Sequence, residues 1–345
     1  METLVTIAIA SYNNAPYIER CIESTLQQTY GHLEILIVDD GSKDDTLKKI
    51  ERFKADDRVK IIIKENGGLS TVRQKALEVA TGDYISFIDA DDYLKSEYVE
   101  RMLTKLVRDK SDICICSTIF ENENGDELQK TKYRCVDSIT PIVPTIKIQS
   151  NTKERVTGRL YLSDSWNKMY RMAFLRESGI NFCMPKGYNG TDSIFNRLLV
   201  LHEPSYSTIS YDGYAHVLYE KSAVHRKRKN LLFSYMKIVE QMIAECEKIG
   251  IRTEMNDAIA TYYIRCLVSA CVDVYHDDKN YFRCYKGINH IYCQHKAFSD
   301  QNQIPILPMS KIQKVYVKIL SFSFLRCRVL MPVALLLFVK LKNIK

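Results

Sequence analysis

Residues 4–10 are apolar at all but one position and break into the polar run Ser11-Tyr12-Asn13-Asn14. A short continuous apolar stretch closed by turn formers is the pattern of a strand buried on both faces. Across 16–28 the spacing changes: Ile18, Cys21, Ile22 and Leu26 recur at helical intervals, with Pro16 near the first turn. A second apolar run, 33–38, stops in Asp39-Asp40-Gly41-Ser42. Ser42 and Asp45 have the spacing of a capping box, which predicts a helix carrying Leu47, Ile50 and Phe53. Residues 59–63 predict a third strand. Asn66-Gly67-Gly68 then turns into a helix over 70–80, closed by Gly82. A fourth strand over 84–88 runs straight into Asp89, Asp91 and Asp92.

Strand–helix alternation with short connections predicts an α/β fold: a doubly wound, mostly parallel sheet with helices on both faces. Ligands of such sheets bind at the carboxyl ends of the strands. The polar clusters 11–14, 39–42 and 89–92 all fall at those ends, and their convergence weighs more than any one of them. Beyond Asp109 the pattern loosens. Residues 112–120 predict a strand, 121–127 a polar turn, and 130–160, with Pro141 and Pro144, irregular chain. Residues 165–178 and 189–202 read as helices, and 231–270 shows long helical periodicity. The chain so divides into 1–110, 111–230 and a helical C-terminal extension, 231–345.

Composition narrows the class. With 46% hydrophobic residues among 345, the chain buries a sizeable core, which excludes global disorder. Its eleven cysteines include several inside apolar runs (Cys114, Cys116, Cys266, Cys271) and no Cys-x-x-Cys pair. That argues against a zinc site or disulfide framework and for buried thiols in a reducing cytosol. The N-terminus lacks the features of a signal peptide. The longest apolar candidate, 329–339, is about half the ~20 residues of a spanning helix and contains Pro332. The net charge of +7 is local: 301–345 carries eight basic residues and no acidic ones, leaving the remainder nearly neutral. No nucleic-acid partner is expected.

A buried strand cannot keep three unpaired carboxylates in its interior. Asp89, Asp91 and Asp92 therefore belong at the strand end, in a polar cleft with a cation. Hard oxygen ligands at this spacing suit Mn²⁺ or Mg²⁺, which keep waters and share positions with substrate phosphates. The alternative is a solvated turn.

Segments in register carry a family resemblance: Ile7-Ala8-Ile9-Ala10-Ser11-Tyr12-Asn13-Asn14, Gln27-Gln28-Thr29-Tyr30, Asp39-Asp40-Gly41-Ser42, Glu65-Asn66-Gly67-Gly68, Thr81-Gly82-Asp83-Tyr84 and Asp89-Ala90-Asp91-Asp92. Over 4–103 the chain closely resembles the family 2 glycosyltransferases of bacterial surface-polysaccharide assembly, an inverting family with the GT-A fold. The resemblance is weaker over about 160–230. It implies a nucleotide-sugar donor, a UDP-sugar, and a saccharide or lipid-linked saccharide acceptor. Carried onto these positions, it places Ala10, Tyr12, Asp39, Asp40, Asn66, Gly67, Arg73, Asp89, Ala90 and Asp91 around the donor. Tyr12 would stack near the base, and Asp40, or Asp39, would accept from uracil or ribose. The alternative for those two acids is capping the next helix. Asp91 would meet the ribose or the metal, and Asp92 would coordinate the ion most directly. Arg73 would brace a carboxylate or approach the diphosphate, with a surface or structural ion pair as the alternative.

In the second half the family carries a Trp-x-Lys-hydrophobic-Tyr segment, matched by Trp166-Asn167-Lys168-Met169-Tyr170, and then a Glu-Asp pair opening a helix. Here the pair reads Thr191-Asp192, so the resemblance leaves Asp192 as the catalytic base and acceptor recognition in doubt. Trp166 and Lys168, with His225 and Arg226 of the run His225-Arg226-Lys227-Arg228-Lys229, are expected near the acceptor or diphosphate. A Gln-x-x-Arg-Trp motif of processive synthases is absent, since Trp166 is the only tryptophan, which favours transfer of a single sugar. The basic, apolar tail 311–345 reads either as a peripheral contact with anionic lipid on the inner face of the cell membrane, or as a packed helix or homodimer interface. Two other readings compete: a catalytically degenerate sugar-binding scaffold of the same fold, and a haloacid-dehalogenase-like phosphatase. The phosphatase would place its Asp-x-Asp after the first strand rather than the fourth. Nicotinamide chemistry is excluded because no Gly-x-Gly-x-x-Gly follows the first strand.

Overall fold

The first four predicted strands form as β1 (Val5–Ser11), β2 (Leu33–Asp39), β3 (Val59–Ile63) and β4 (Tyr84–Asp89). They are parallel, in the order β3-β2-β1-β4. β2 is buried at every position, as continuous apolar runs predict for a parallel sheet covered on both faces. The returning helices are α1 (Ile18–Leu26), α2 (Thr46–Glu51, continued by a 3₁₀ turn, Arg52–Ala55) and α3 (Leu69–Val79). On α1 the residues Ile18, Cys21, Ile22 and Thr25 are buried, so the stripe drifts by one position from the expected Leu26. The computed structural model describes residues 3–130, 138–141, 164–219 and 231–256, and the single positions Ile259, Tyr262, Tyr263, Cys266 and Asn302.

The sheet continues with β5 (Tyr93–Leu94), β6 (Ile113–Asn122), β7 (Glu127–Lys130), β8 (Ser138–Pro141), β9 (Lys168–Arg171) and β10 (Ser205–Leu218). Its full order is β3-β2-β1-β4-β9-β6-β10-β5, with β7 on β6 and β8 on β10. β9 is antiparallel to both β4 and β6, so β1, β2, β3, β4, β6 and β10 all point one way. Helix α4 (Tyr98–Asp109) leads into β6, and α5 (Met172–Ser178) and α6 (Thr191–Leu201) follow β9. The chain forms two units, Met1–Lys229 and Asn230–Lys345. In the second, α7 (Leu231–Lys248) buries Ile238, Val239, Met242, Ile243 and Cys246 along one stripe. Among the described residues no helix is long and apolar enough to cross a membrane. The tail 311–345 lies outside them.

Four local expectations change. Ser42 and Asp45 do not form a capping box: Ser42 is bonded back to Asp39, and Asp44 Oδ1 accepts the Thr46 N–H at 3.0 Å. Gly82 does not cap α3. A Cβ there would sit 2.6 Å from Thr6 Oγ1 and 2.7 Å from Thr6 N, so the glycine serves a close crossing over β1. That crossing is pinned by the buried Glu34 carboxylate, which accepts from Thr6 Oγ1 (2.6 Å), Thr81 N and Oγ1 (both 2.8 Å) and Lys60 Nζ (2.6 Å). The helix expected over 165–178 is instead strand β9 followed by α5, because Lys168–Arg171 fills the gap between β4 and β6. Strand β10 was not expected at all. Its alternation is interrupted by register shifts on either side of Asp212, where Asp212-Gly213 reads as a turn.

Candidate active site

The parallel topology brings the ends of β1, β2 and β4 to one edge. Asp39 and Asp40 both sit there, nearly inaccessible to solvent. Asp39 accepts from Ser42 N (2.7 Å) and Ser42 Oγ (2.6 Å), and that hydroxyl in turn accepts the Asn13 N–H at 2.8 Å. Asp40 Oδ1 accepts from Lys64 Nζ (2.7 Å) and Gly67 N (2.9 Å); its Oδ2 accepts from Gly68 N (2.7 Å) and Asn66 Nδ2 (3.1 Å). Four donors satisfy a carboxylate. The expectation that Asp39 or Asp40 presents a free acceptor is therefore corrected: Asp39 locks the turns after β1 and β2 together, and Asp40 shapes the Asn66-Gly67-Gly68 loop. Gly68 has φ +89°, which favours glycine, and a Cβ on Gly67 would lie 2.5 Å from Thr71 Oγ1 and have to displace that side chain. Tyr12, 46% exposed at the end of β1, keeps an open ring face. Ala10 meets the acidic turn through its carbonyl, which accepts the Ala90 N–H at 3.2 Å.

The three acids after β4 have three different circumstances. Asp92 is fully buried: its Oδ2 accepts from Tyr214 OH (2.6 Å) and His216 Nδ1 (2.9 Å), and its Oδ1 accepts the Val217 N–H (2.9 Å). This corrects the expectation that Asp92 coordinates the ion most directly, since its lone pairs are committed to β10. Burial opposes the imidazolium of His216, but Asp92, with Asp89 and Asp91 nearby, outweighs it and raises that pKa to about 9. Asp89 pairs through Oδ1 with Arg73 Nη2 at 2.7 Å. Asp91 receives no side-chain donor from another residue among those described, and burial together with the charges of Asp92 and Asp89 pushes its carboxyl up to about 7.

Asp91 is thus the acid whose environment fits a divalent cation: an oxygen ligand whose ionised form is opposed by its acidic neighbours. Among the described residues no group of three His, Cys, Asp or Glu side chains is placed to hold a metal. A divalent ion held by one or two protein carboxylates would need phosphate and water for the rest of its shell.

Asp192 lies in the first turn of α6, which starts after Gly190 at φ +91°. It is 17% exposed and ion-paired with Arg73 Nη1. Arg73, on α3, is 1% exposed, so a single buried guanidinium joins the β4 acid Asp89 to the α6 acid Asp192. The surface-pair alternative for Arg73 is excluded by that burial. Asp192 also borders a cleft of about 330 Å³ between Gly67–Ser70 and residues 184–193, with Asp164 in its wall. Lys186 spans part of it, donating to the Asn66 carbonyl at 2.8 Å.

Trp166 and Lys168 do not face this cleft. Trp166 is buried and stacks on His216 (centroids 5.2 Å, 4°) and against Tyr214 (4.7 Å), backing the Asp92 anchor. Lys168 is fully buried, with Nζ bonded to the Asp164 carbonyl and to Asn167 Oδ1 (3.0 Å). Both side chains are turned into the interior, away from the position near acceptor or diphosphate expected of them. His225 and Arg226 lie outside the described residues. Sequence reasoning missed Arg20 and Tyr219: Arg20 Nη2 donates to the Asp91 carbonyl (2.8 Å) and to Tyr219 OH (2.7 Å), and Tyr219 OH reaches the same carbonyl at 3.1 Å. It also missed Tyr214 and His216, which hold Asp92. An arginine on a polar helix face carries no signal of its own, and the other three lie on or just past the unpredicted β10.

Residues 6–179 match the model of a family described as glycosyl transferase family 2. The EpsH protein of Bacillus subtilis (strain 168) is 30% identical over 267 residues, covering 76% of this chain and 75% of that protein. The chondroitin synthase of Pasteurella multocida (strain Pm70) is 42% identical over 124 residues, 36% of this chain and 13% of that much longer protein. The crystal structure of S. aureus TarS residues 1–349 in complex with UDP-GlcNAc superimposes with a TM-score of 0.58 at 18% identity, covering 87% of this chain and 89% of that one. At that identity the likeness speaks for the fold.

Proposed function

The chain belongs to glycosyl transferase family 2 and has the GT-A fold, and from that membership we propose that it moves one sugar, with inversion, from a UDP-sugar to a hydroxyl of a saccharide or lipid-linked saccharide during polysaccharide assembly. The observation that carries the reading is the Arg73 bridge, which puts the β4 acids and Asp192 on either side of one guanidinium. The UDP-GlcNAc complex of the structurally similar TarS domain and the glycan-synthase name of the Pasteurella relative support the donor class and the setting.

In this reading Asp192 accepts the acceptor's hydroxyl proton while that oxygen bonds the anomeric carbon. The electrons of the broken carbon–oxygen bond leave with the nucleoside diphosphate. Asp91 would hold Mn²⁺ or Mg²⁺, which would supply Lewis-acid neutralisation of the diphosphate. Tyr12 offers its exposed ring to the base, and the glycine loop shaped by Asp40 lines the donor side. Absence of a Gln-x-x-Arg-Trp motif supports single transfer, and the acid-free basic tail 311–345 supports peripheral contact with anionic lipid on the inner face of the cell membrane.

The test is incubation of the full chain with UDP-glucose, UDP-galactose and their N-acetylamino forms in Mn²⁺, reading UDP release and protection against melting. We expect one donor to give both, Asp91→Ala to lose both, and Asp192→Asn to keep protection but lose release. No response to any donor, with Asp91→Ala behaving as wild type, removes the enzyme reading.

A further inference from the structure

We propose that Arg73 is a positioning residue for the base: it keeps the Asp192 carboxylate ionised and aimed, and ties its placement to Asp89 at the donor edge. The inference rests on Asp192 being the base.

A guanidinium buried to 1% needs a counter-charge, and one carboxylate suffices for that. Arg73 has two. Nη2 donates to Asp89 at 2.7 Å, Nη1 is in ion-pair contact with Asp192 without a formed hydrogen bond, and Nε has no hydrogen-bond partner among the described residues. The two acids arrive from opposite parts of the chain, one at the end of β4 and the other in the first turn of α6. A planar fork fixes the spread and direction of what it binds, which a flexible ammonium does not. The cluster of one cation and two anions carries a single negative charge. It becomes neutral when Asp192 receives the acceptor's proton.

Among the described residues, Asp164, Lys186, Tyr188 and Tyr170 are the other charged or titratable groups near this cluster. Asp164 lines the same cleft, Lys186 crosses it with its ammonium on the Asn66 carbonyl, and the Tyr170 hydroxyl, bonded to Asn196 Oδ1 at 2.9 Å, lies in the field of Arg73. With Arg73 made neutral, Asp192 faces Asp89 and Asp164 with Lys186 as the remaining cation of the cleft among the described residues. Protonation of the base then becomes easier.

The experiment compares Arg73→Gln, Arg73→Lys and Asp192→Asn in the full chain, using the UDP-sugar that gives release above. Read-outs are the pH profile of kcat/KM, the KM for donor and the melting temperature. We expect Arg73→Gln to move the acidic limb of the profile upward by about 1 to 3 pH units, the range an adjacent Arg imposes on an Asp. Arg73→Lys should keep the limb in place but lower kcat at nearly unchanged donor KM. A limb that stays put in folded Arg73→Gln overturns the proposal and makes Arg73 structural. Should Arg73→Gln fail to fold, Arg73→Lys with wild-type kcat overturns it equally. Undiminished release by Asp192→Asn is a separate result: it removes the base assignment itself and leaves donor transfer standing.

Discussion

At Asp92 the turn after β4 directs a carboxylate into the protein, where a tyrosine, a histidine and a backbone N–H close around it. Its neighbour Asp91 keeps its carboxylate for something else. The two acids are adjacent in sequence, so their roles separate cleanly by substitution. Asp92→Ala should cost about 3 to 5 kcal/mol of stability, the penalty of leaving buried partners of a removed charge unpaired. The folded fraction should still bind donor in Mn²⁺. Asp91→Ala should barely move the melting temperature, since no side-chain donor among the described residues depends on it, yet lose Mn²⁺-dependent protection by UDP-sugar. Thermal melts with and without donor decide it, and the opposite pattern would return Asp92 to the metal. Nothing in the string Asp-Ala-Asp-Asp distinguishes these roles. They are set by β10, some 120 residues downstream, whose existence the sequence did not announce.

At the scale of elements, legibility followed the length and regularity of apolar runs. β1 to β4 and helices α1 to α3 were readable because continuous apolar strands and 3.6-residue stripes are strong local signals. β9 was not, because four residues with Met169 and Tyr170 fit a helix as well as a strand, and only the gap between β4 and β6 decides. Trp166 and Lys168 were placed by a matching sequence segment, which says nothing of where its side chains point; the burial of both follows from the pairing of β9 between β4 and β6. The Gly82 crossing gives a test at this scale. Gly82→Ala brings a methyl within 2.7 Å of the β1 backbone at Thr6, a contact that cannot be relieved by a rotamer change. We expect a loss of about 1 to 3 kcal/mol, the overpacking range, in denaturant unfolding. Ala should be tolerated at Gly31, where no atom lies within 4 Å of the added Cβ.

For the molecule as a whole, charge is divided between a nearly neutral body and a basic C-terminal segment. Membrane association should follow that division. The full chain is expected to float with vesicles containing phosphatidylserine and not with pure phosphatidylcholine, and to release as salt rises, because Lys and Arg near an anionic surface contribute about 1 kcal/mol each, screened over a Debye length. Removal of 311–345 should abolish flotation while leaving donor protection intact. Flotation with both lipids alike, or with neither, removes the tail from the membrane.

The placement of β9 has a consequence for how this protein is made. The sheet order seats β9 between β4 and β6, so β4 has no lasting neighbour on one side until residue 171 has been synthesised. A nascent chain carrying β1 to β4 therefore exposes a long apolar edge throughout the translation of some eighty further residues. Unpaired edges are templates for intermolecular pairing. Closing that seam joins segments far apart in sequence, which slows folding. On a ribosome-stalled ladder of lengths, protease resistance of residues 1–110 should rise abruptly once β9 clears the exit tunnel, and aggregation should be worst just before it.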